Sequence, residues 1–148
     1  MSIPELNADG LLPPGVHEGS VAEIRERFGQ FRETDGRVRL QAKLEAFVAE
    51  VKATGLVAAL IVNGSFTTGK ARPGDVDLIV ILRAEADLAT DFRPDQYNVL
   101  SARRVRSRYA FDVWYSTGAA ETLEPVIEFF AQVRERPGLR KGMVKVTL

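Results

Sequence analysis

Two nearly unbroken apolar runs, "LVAALIV" over Leu56–Val62 and "VDLIVIL" over Val76–Leu82, have the length of strands and the composition of strands covered on both faces. Upstream, Leu40, Leu44, Phe47, Val48 and Val51 recur at helical spacing, which predicts a helix from about Asp35 to Thr54 with Gly55 as its stop. Ser20 followed by Glu23 has the form of a capping box and opens a short helix, "VAEIRERFG", that Gly29 can end. The aromatic and β-branched stretch "YAFDVWYS", Tyr109–Ser116, predicts a third strand. A helix over about Leu123–Arg136 follows, with Val126, Ile127, Phe130 and Val133 inward and Pro137-Gly138 as its stop; the tail "GMVKVTL" predicts a last, edge strand. After Leu82 the chain is polar and without a period through "PDQYNVLSARRVRSR", and no element is assigned there. Residues 1–19, rich in Gly and Pro, predict a loop that packs Leu11 and Leu12 on the body.

This order of elements gives an α/β (α+β) fold, a small mixed sheet flanked by helices. With 148 residues, no internal repeat and no linker, residues 1–148 are expected to form a single domain, able to bury roughly 70% of its unfolded surface. Twenty basic and twenty acidic side chains cancel, so no global field favours nucleic acid or a membrane as partner. The absence of cysteine and the single histidine exclude disulfides and thiolate or histidine-rich zinc centres, so a bound metal would be held by oxygens, as Mg2+ or Mn2+ is. Met1–Gly10 contains Glu5 and Asp9 and no apolar core, and no apolar run has the length of a membrane span; a cytoplasmic protein is the expectation.

Chemistry concentrates in "VNGSFTTGKARPGDVDLIVIL", Val62–Leu82. Asp75 and Asp77 are two apart, so on a strand they share a face. Adjacent buried carboxylates repel unless a cation joins them, and a divalent ion would do so. Asp112, in "AFDVWY", is the other acid within an apolar strand. If its strand adjoins that of Asp77, three carboxylates could hold two Mg2+ ions for in-line phosphoryl or nucleotidyl transfer, with Asp112 also a candidate general base. Gly64 allows backbone to approach a phosphate, and Ser65 offers a hydroxyl and an N–H to phosphate oxygens. Lys70 and Arg72, in the connection, are candidate phosphate counter-charges.

These residues resemble the polymerase-beta type nucleotidyltransferase superfamily: apolar-Gly-Ser, about ten residues, then Asp-apolar-Asp-apolar, with a third carboxylate on a later strand. "LPPGVH", "GSFTTGKARPGDVDLIV" and "RKGMVKVTL" are similar to small bacterial nucleotidyltransferase-like proteins, a likeness that spans nearly the whole chain. The resemblance implies a nucleotidyltransferase palm, metal roles for Asp75, Asp77 and Asp112, and a phosphate role for Gly64 and Ser65. It implies ATP or another nucleoside triphosphate as substrate, and it names no acceptor. The chain has no room for the extra helical domain with which relatives grip theirs, so a protein partner or a second copy of the chain is expected to supply the remaining surface. Among minimal nucleotidyltransferases, many act as antitoxins on a partner toxin.

Other features carry structural readings. Arg103, Arg104, Arg106 and Arg108 form the one basic cluster, for which a solvated face is the commoner meaning. His17 suits a loop hydrogen bond, Trp114 suits packing on the face of Asp112, and Lys141 is divided between site and surface. Two further readings stay open beside the transferase: a nucleotide- or partner-binding module that retains the fold without catalysis, and a small phosphohydrolase using the same acids.

Overall fold

The two apolar runs become the central, antiparallel strands of a five-stranded mixed sheet in the computed structural model, which describes Ile3–Leu148. In chain order the elements are β1 (Val16–Glu18), α1 (Val21–Phe28), α2 (Gly36–Thr54), β2 (Val57–Asn63), β3 (Asp77–Leu82), α3 (Pro94–Leu100), α4 (Ala102–Tyr109), β4 (Asp112–Ser116), α5 (Ala120–Ala131) and β5 (Met143–Thr147), with one 3-10 turn at Ser65–Thr67. The sheet runs β1-β5-β2-β3-β4; β1/β5 and β3/β4 are parallel, and β5/β2 and β2/β3 are antiparallel.

Alternation along the strands divides the core between two faces. Leu60, Val62, Leu78, Val80, Val144 and Val146 pack under α1–α4, where Phe47 of α2 meets Tyr109 and Phe111 edge-on with ring centroids 5.3 and 6.1 Å away. Ala59, Ile61, Ile79, Ile81 and Met143 face the other way, against Phe130 and Ala131 of α5. The α2 stripe is as the spacing predicts: Leu44, Phe47, Val48 and Val51 are buried and Leu40 partly so. Gly55 closes the helix at φ 72°, a left-handed conformation that favours glycine. The capping box of α1 forms in both directions, Glu23 N–H to Ser20 Oγ at 3.0 Å and Ser20 N–H to Glu23 Oε1 at 3.2 Å.

Five expectations are corrected. The aperiodic stretch contains α3 and α4: Pro94 occupies the first turn of α3, Gln96 accepts the Arg93 N–H at 3.0 Å, and Ser101 caps α4 by accepting the Arg104 N–H at 3.3 Å. Tyr109 therefore ends a helix rather than opening a strand; Ala110 turns the chain at φ 62° and β4 begins at Asp112. α5 starts three residues earlier than predicted and stops at Ala131, leaving Val133 in a loop. β5 is not an edge, because β1 forms inside the N-terminal segment and pairs with it in parallel, Val16 opposite Met143. β3 begins at Asp77, so Asp75 precedes the strand. The N-terminal segment otherwise packs as its apolar residues require, with Ile3, Leu11 and Leu12 buried. No helix among the described residues is long and apolar enough to cross a membrane.

Candidate functional site

β2 ends in Asn63, which pairs with Asp77 across the antiparallel ladder, and Asp77 pairs in parallel register with Asp112. Asp77 and Asp112 therefore stand side by side at the start of β3 and β4, about 5 Å apart along the hydrogen-bonding direction. Both lie on the α5 face, since Ile79 and Trp114, two residues on, pack toward Phe130.

Gly64 makes the turn that follows β2. Its φ is 92° and its ψ −176°, and a Cβ there would come within 2.8 Å of the Asp75 carbonyl oxygen and 3.0 Å of the Asp77 nitrogen. Glycine is required because the turn lies directly on the backbone that carries the acids. Ser65 then ties the two segments together. Its N–H donates to Asp75 Oδ1 at 2.8 Å, its hydroxyl donates to the same oxygen, and Ser65 Oγ accepts the N–H groups of Gly74 and Asp75 at 3.1 and 3.3 Å.

The connection beyond Ser65 is held from behind by Arg37 of α2, only 3% exposed. Its Nη1 donates to the carbonyls of Phe28 and Phe66 at 3.1 and 2.7 Å, and its Nη2 to those of Thr68 and Lys70 at 2.7 and 2.5 Å. Burial, with Arg32 nearby, pulls this guanidinium below its ordinary pKa. A planar fork bonding four carbonyls is a task for arginine and not for lysine.

In front of this framework lies a cleft of about 1060 Å³. Its walls are Asp9–Leu11, Ser65 with Thr68–Lys70, the acids Asp75 and Asp77, and the end of α5 with the loop Gln132–Lys141. Lys141 is anchored on both sides: its own N–H donates to the Ala131 carbonyl at 2.8 Å, and the next N–H, of Gly142, to that of Leu12 at 2.9 Å. Any Cβ at Gly142 would overlap the Pro13 carbonyl, so the chain passes there only as glycine. Of the cleft's other cations, Arg136 pairs with Asp9 at 2.6 Å and Arg140 with Glu128. Lys70, Arg134 and Lys141 line the cleft without such an ion pair among the described residues.

The two acids are set apart electrically. Burial would raise Asp75, but the Ser65 hydroxyl and N–H, with Lys141 and Lys70, outweigh it and hold the carboxyl below the usual range. Burial and the Asp75 charge push Asp77 above that range, against the opposing pull of Lys141 and Arg134. Burial lowers Lys141, opposed by Asp75 and Asp77. Asp75 is thus the acid held ionised, and Asp77 the one that gains most from a further cation.

Of the residues singled out from sequence, Ser65, Lys70, Asp75 and Asp77 line one cleft, with Gly64 supporting its floor. Asp112 joins them by register, but its carboxylate is held by Arg106 of α4. No group of three or more His, Cys, Asp or Glu side chains able to hold a metal ion is found among the described residues. Asp75 and Asp77 alone form an all-oxygen donor pair, and two carboxylates with substrate phosphates are a usual Mg2+ environment. Three of the four clustered arginines are engaged within the chain: Arg104 lies over Tyr97 and bonds Asn98, Arg106 holds Asp112, and Arg108 holds Glu50. His17 bonds the Pro13 carbonyl at 2.7 Å, and Trp114 packs edge-on against Phe130 at 4.5 Å.

Sequence reasoning missed Arg37 and Asn63. Asn63 is 1% exposed, beside Asp77 in the ladder, and its Nδ2 donates to the Phe130 carbonyl at 3.1 Å, which pins α5 to the end of β2. An asparagine closing an otherwise apolar run was the available signal. Arg37 lies in a helix with several other charged residues, and nothing local distinguishes it.

Fold and cleft together define a mixed α/β protein with an acid pair at the start of a central strand, backed by a Gly-Ser turn. Residues 4–147 match the family of unknown function DUF6932, and the chain belongs to that family. No curated protein and no solved structure matches it.

Proposed function

We propose that the chain is a magnesium-dependent nucleotidyltransferase with a polymerase-beta type palm. It transfers a nucleoside monophosphate, AMP from ATP in the first instance, to a hydroxyl of a macromolecular acceptor, a partner protein being favoured. The observation that carries this reading is Asp75 and Asp77 lining one cleft behind the Gly64-Ser65 turn, with Asp112 in register beside Asp77.

Asp75 and Asp77 would hold the metal, which when bound favours ionisation of the attacking hydroxyl and offsets the charge of the leaving diphosphate. The chain's own residues do the rest. Lys70, and Ser65 once released from Asp75, hold phosphate oxygens. Asp112, once released from Arg106, accepts the proton of the acceptor hydroxyl. A cleft of about 1060 Å³ has room for a nucleotide.

A binding module that acts by contact is the second reading. It is favoured by one observation: the Ser65 donors and the Asp112 carboxylate are already engaged within the chain.

Calorimetry of ATP binding with and without Mg2+, on the wild type and on the Asp75→Ala, Asp77→Ala double variant, tests the first reading. The expected outcome is Mg2+-dependent binding lost in the double variant, followed by a nucleotide adduct on a co-expressed partner by intact mass. Absence of Mg2+-dependent binding in the wild type would overturn the enzyme reading and leave the contact module.

A further inference from the structure

An exposed apolar side chain is ordinary on a surface and informative in a cleft, where polar groups converge beside it. Phe129, near the end of α5, is 63% exposed, and of the large apolar side chains left exposed among the described residues it is the one that lines the cleft. Its ring is held in place. The largely buried Phe130 packs edge-on against it, with centroids 5.1 Å apart and planes at 83°, and Trp114 of β4 packs edge-on against Phe130 in turn. The Asn63 amide, donating to the Phe130 carbonyl at 3.1 Å, ties this end of α5 to the residue that pairs with Asp77. The cleft therefore has two kinds of wall, a fixed aromatic one from α5 and a charged one where Lys70, Arg134 and Lys141 accompany Asp75 and Asp77.

We propose that Phe129 is the platform on which the base of the bound nucleotide stacks. The inference rests on reading the cleft as a nucleoside triphosphate site, and it assigns the part of that ligand which α5 holds. Inorganic polyphosphate would engage the charged wall alone and leave the ring in water. A nucleotide covers both walls, phosphates on one and base on the other. Stacking on an aromatic face needs no hydrogen-bond readout and accepts any base, and a ring already pinned by Phe130 loses little freedom when it binds one. An apolar segment of a protein partner is the other occupant an exposed ring could take. The three cations that line the same cleft without an ion pair among the described residues favour an anion that carries its own flat ring.

Calorimetry with ATP and with inorganic tripolyphosphate, each in the presence of Mg2+, tests the proposal on the purified chain. The quantity read is the ratio of the two affinities. Phe129→Ala is expected to lower that ratio by about tenfold or more, the loss falling on ATP, and Phe129→Trp, which keeps an aromatic face, to preserve it. Phe129→Leu, which keeps apolar bulk without the flat face, runs in parallel with circular dichroism to verify folding, and is expected to behave as the alanine variant. A ratio that Phe129→Ala and Phe129→Leu leave unchanged, or an equal loss of both ligands, overturns the inference and leaves the enzyme reading standing. Binding of neither ligand by the wild type overturns both. A chain that shows the expected ratios but never transfers a nucleotide overturns the enzyme reading alone.

Discussion

At Gly64 the requirement is for the absence of a side chain. The backbone stands at φ 92° and ψ −176°, a region essentially reserved for glycine, and the space a Cβ would need is occupied by the backbone of Asp75–Asp77. Gly64→Ala is expected to cost about 1–3 kcal/mol from the backbone conformation alone, with the overlap adding to it, measured by denaturant unfolding. A change below about 0.5 kcal/mol, the usual range for an unremarkable surface site, would contradict the geometry.

Asp77 gives a pH signature. Burial and the Asp75 charge raise its pKa in the folded state, so the folded chain binds that proton more tightly than the unfolded chain. The stabilisation is complete below the unfolded pKa and is lost as pH rises through the folded value. In metal-free protein, Asp77→Asn is therefore expected to raise Tm near neutral pH, the gain shrinking as pH falls through the ordinary carboxylate range. Melting curves with a chelator check it; a variant less stable than wild type at neutral pH would refute the assignment. Asp75, Asp77, Gly64 and Ser65 were legible because they lie within one short stretch whose spacing itself carries the chemistry. Arg37 was not, because it meets its carbonyl partners only through the fold, and for the same reason Lys141 stayed divided between site and surface.

Elements with a long apolar signal, the stripe of α2 and the unbroken runs of the two central strands, appeared where the pattern placed them to within a residue or so. The failures share a cause. α3 and α4 are seven and eight residues long, too short for a period to declare itself, and are specified by end signals such as Pro94 and Ser101. β4 was overextended because Tyr109 and Phe111 have strand-like composition, although both serve an aromatic cluster with Phe47 and only residues from Asp112 onward pair with β3. β1 was hidden in a glycine- and proline-rich segment, since a three-residue strand is defined by its neighbour and not by its composition.

That short strand has a measurable role: it covers β5, which would otherwise be an open edge, and its segment carries the buried Ile3, Leu11 and Leu12. Each such side chain contributes about 1.5–3 kcal/mol of burial, so a chain beginning at Ser20 is expected to lose several kcal/mol and to self-associate through β5. Size-exclusion chromatography with light scattering and a thermal melt would reveal this. A truncated chain that stays monomeric with an unchanged Tm would show that β1 does not protect the edge.

For the whole molecule, mixed α/β architecture followed from the order of the elements, whereas strand order did not, and strand order decides which residues meet. Placing β3 between β2 and β4 sets Asp77 between Asn63 and Asp112, and placing β5 beside β2 brings Lys141 to the acids. Composition could say only that charge balances overall. The structure adds that the balance is also local: Arg104, Arg106 and Arg108 are engaged within the chain, while the cleft keeps Lys70, Arg134 and Lys141 facing Asp75 and Asp77.

The walls of the cleft are drawn from Asp9 at one extreme of the sequence and Lys141 at the other, with the acids near the middle. During synthesis Asp75 and Asp77 leave the ribosome well before Lys141 exists, and for that interval their repulsion has no lysine to offset it. β5, inserted between β1 and β2, is likewise made after both of them. The nascent chain can pair β2 with β3 early, but the cleft closes only once the segment through β5 has also been made, some seconds later at the usual pace of about 5–20 residues per second.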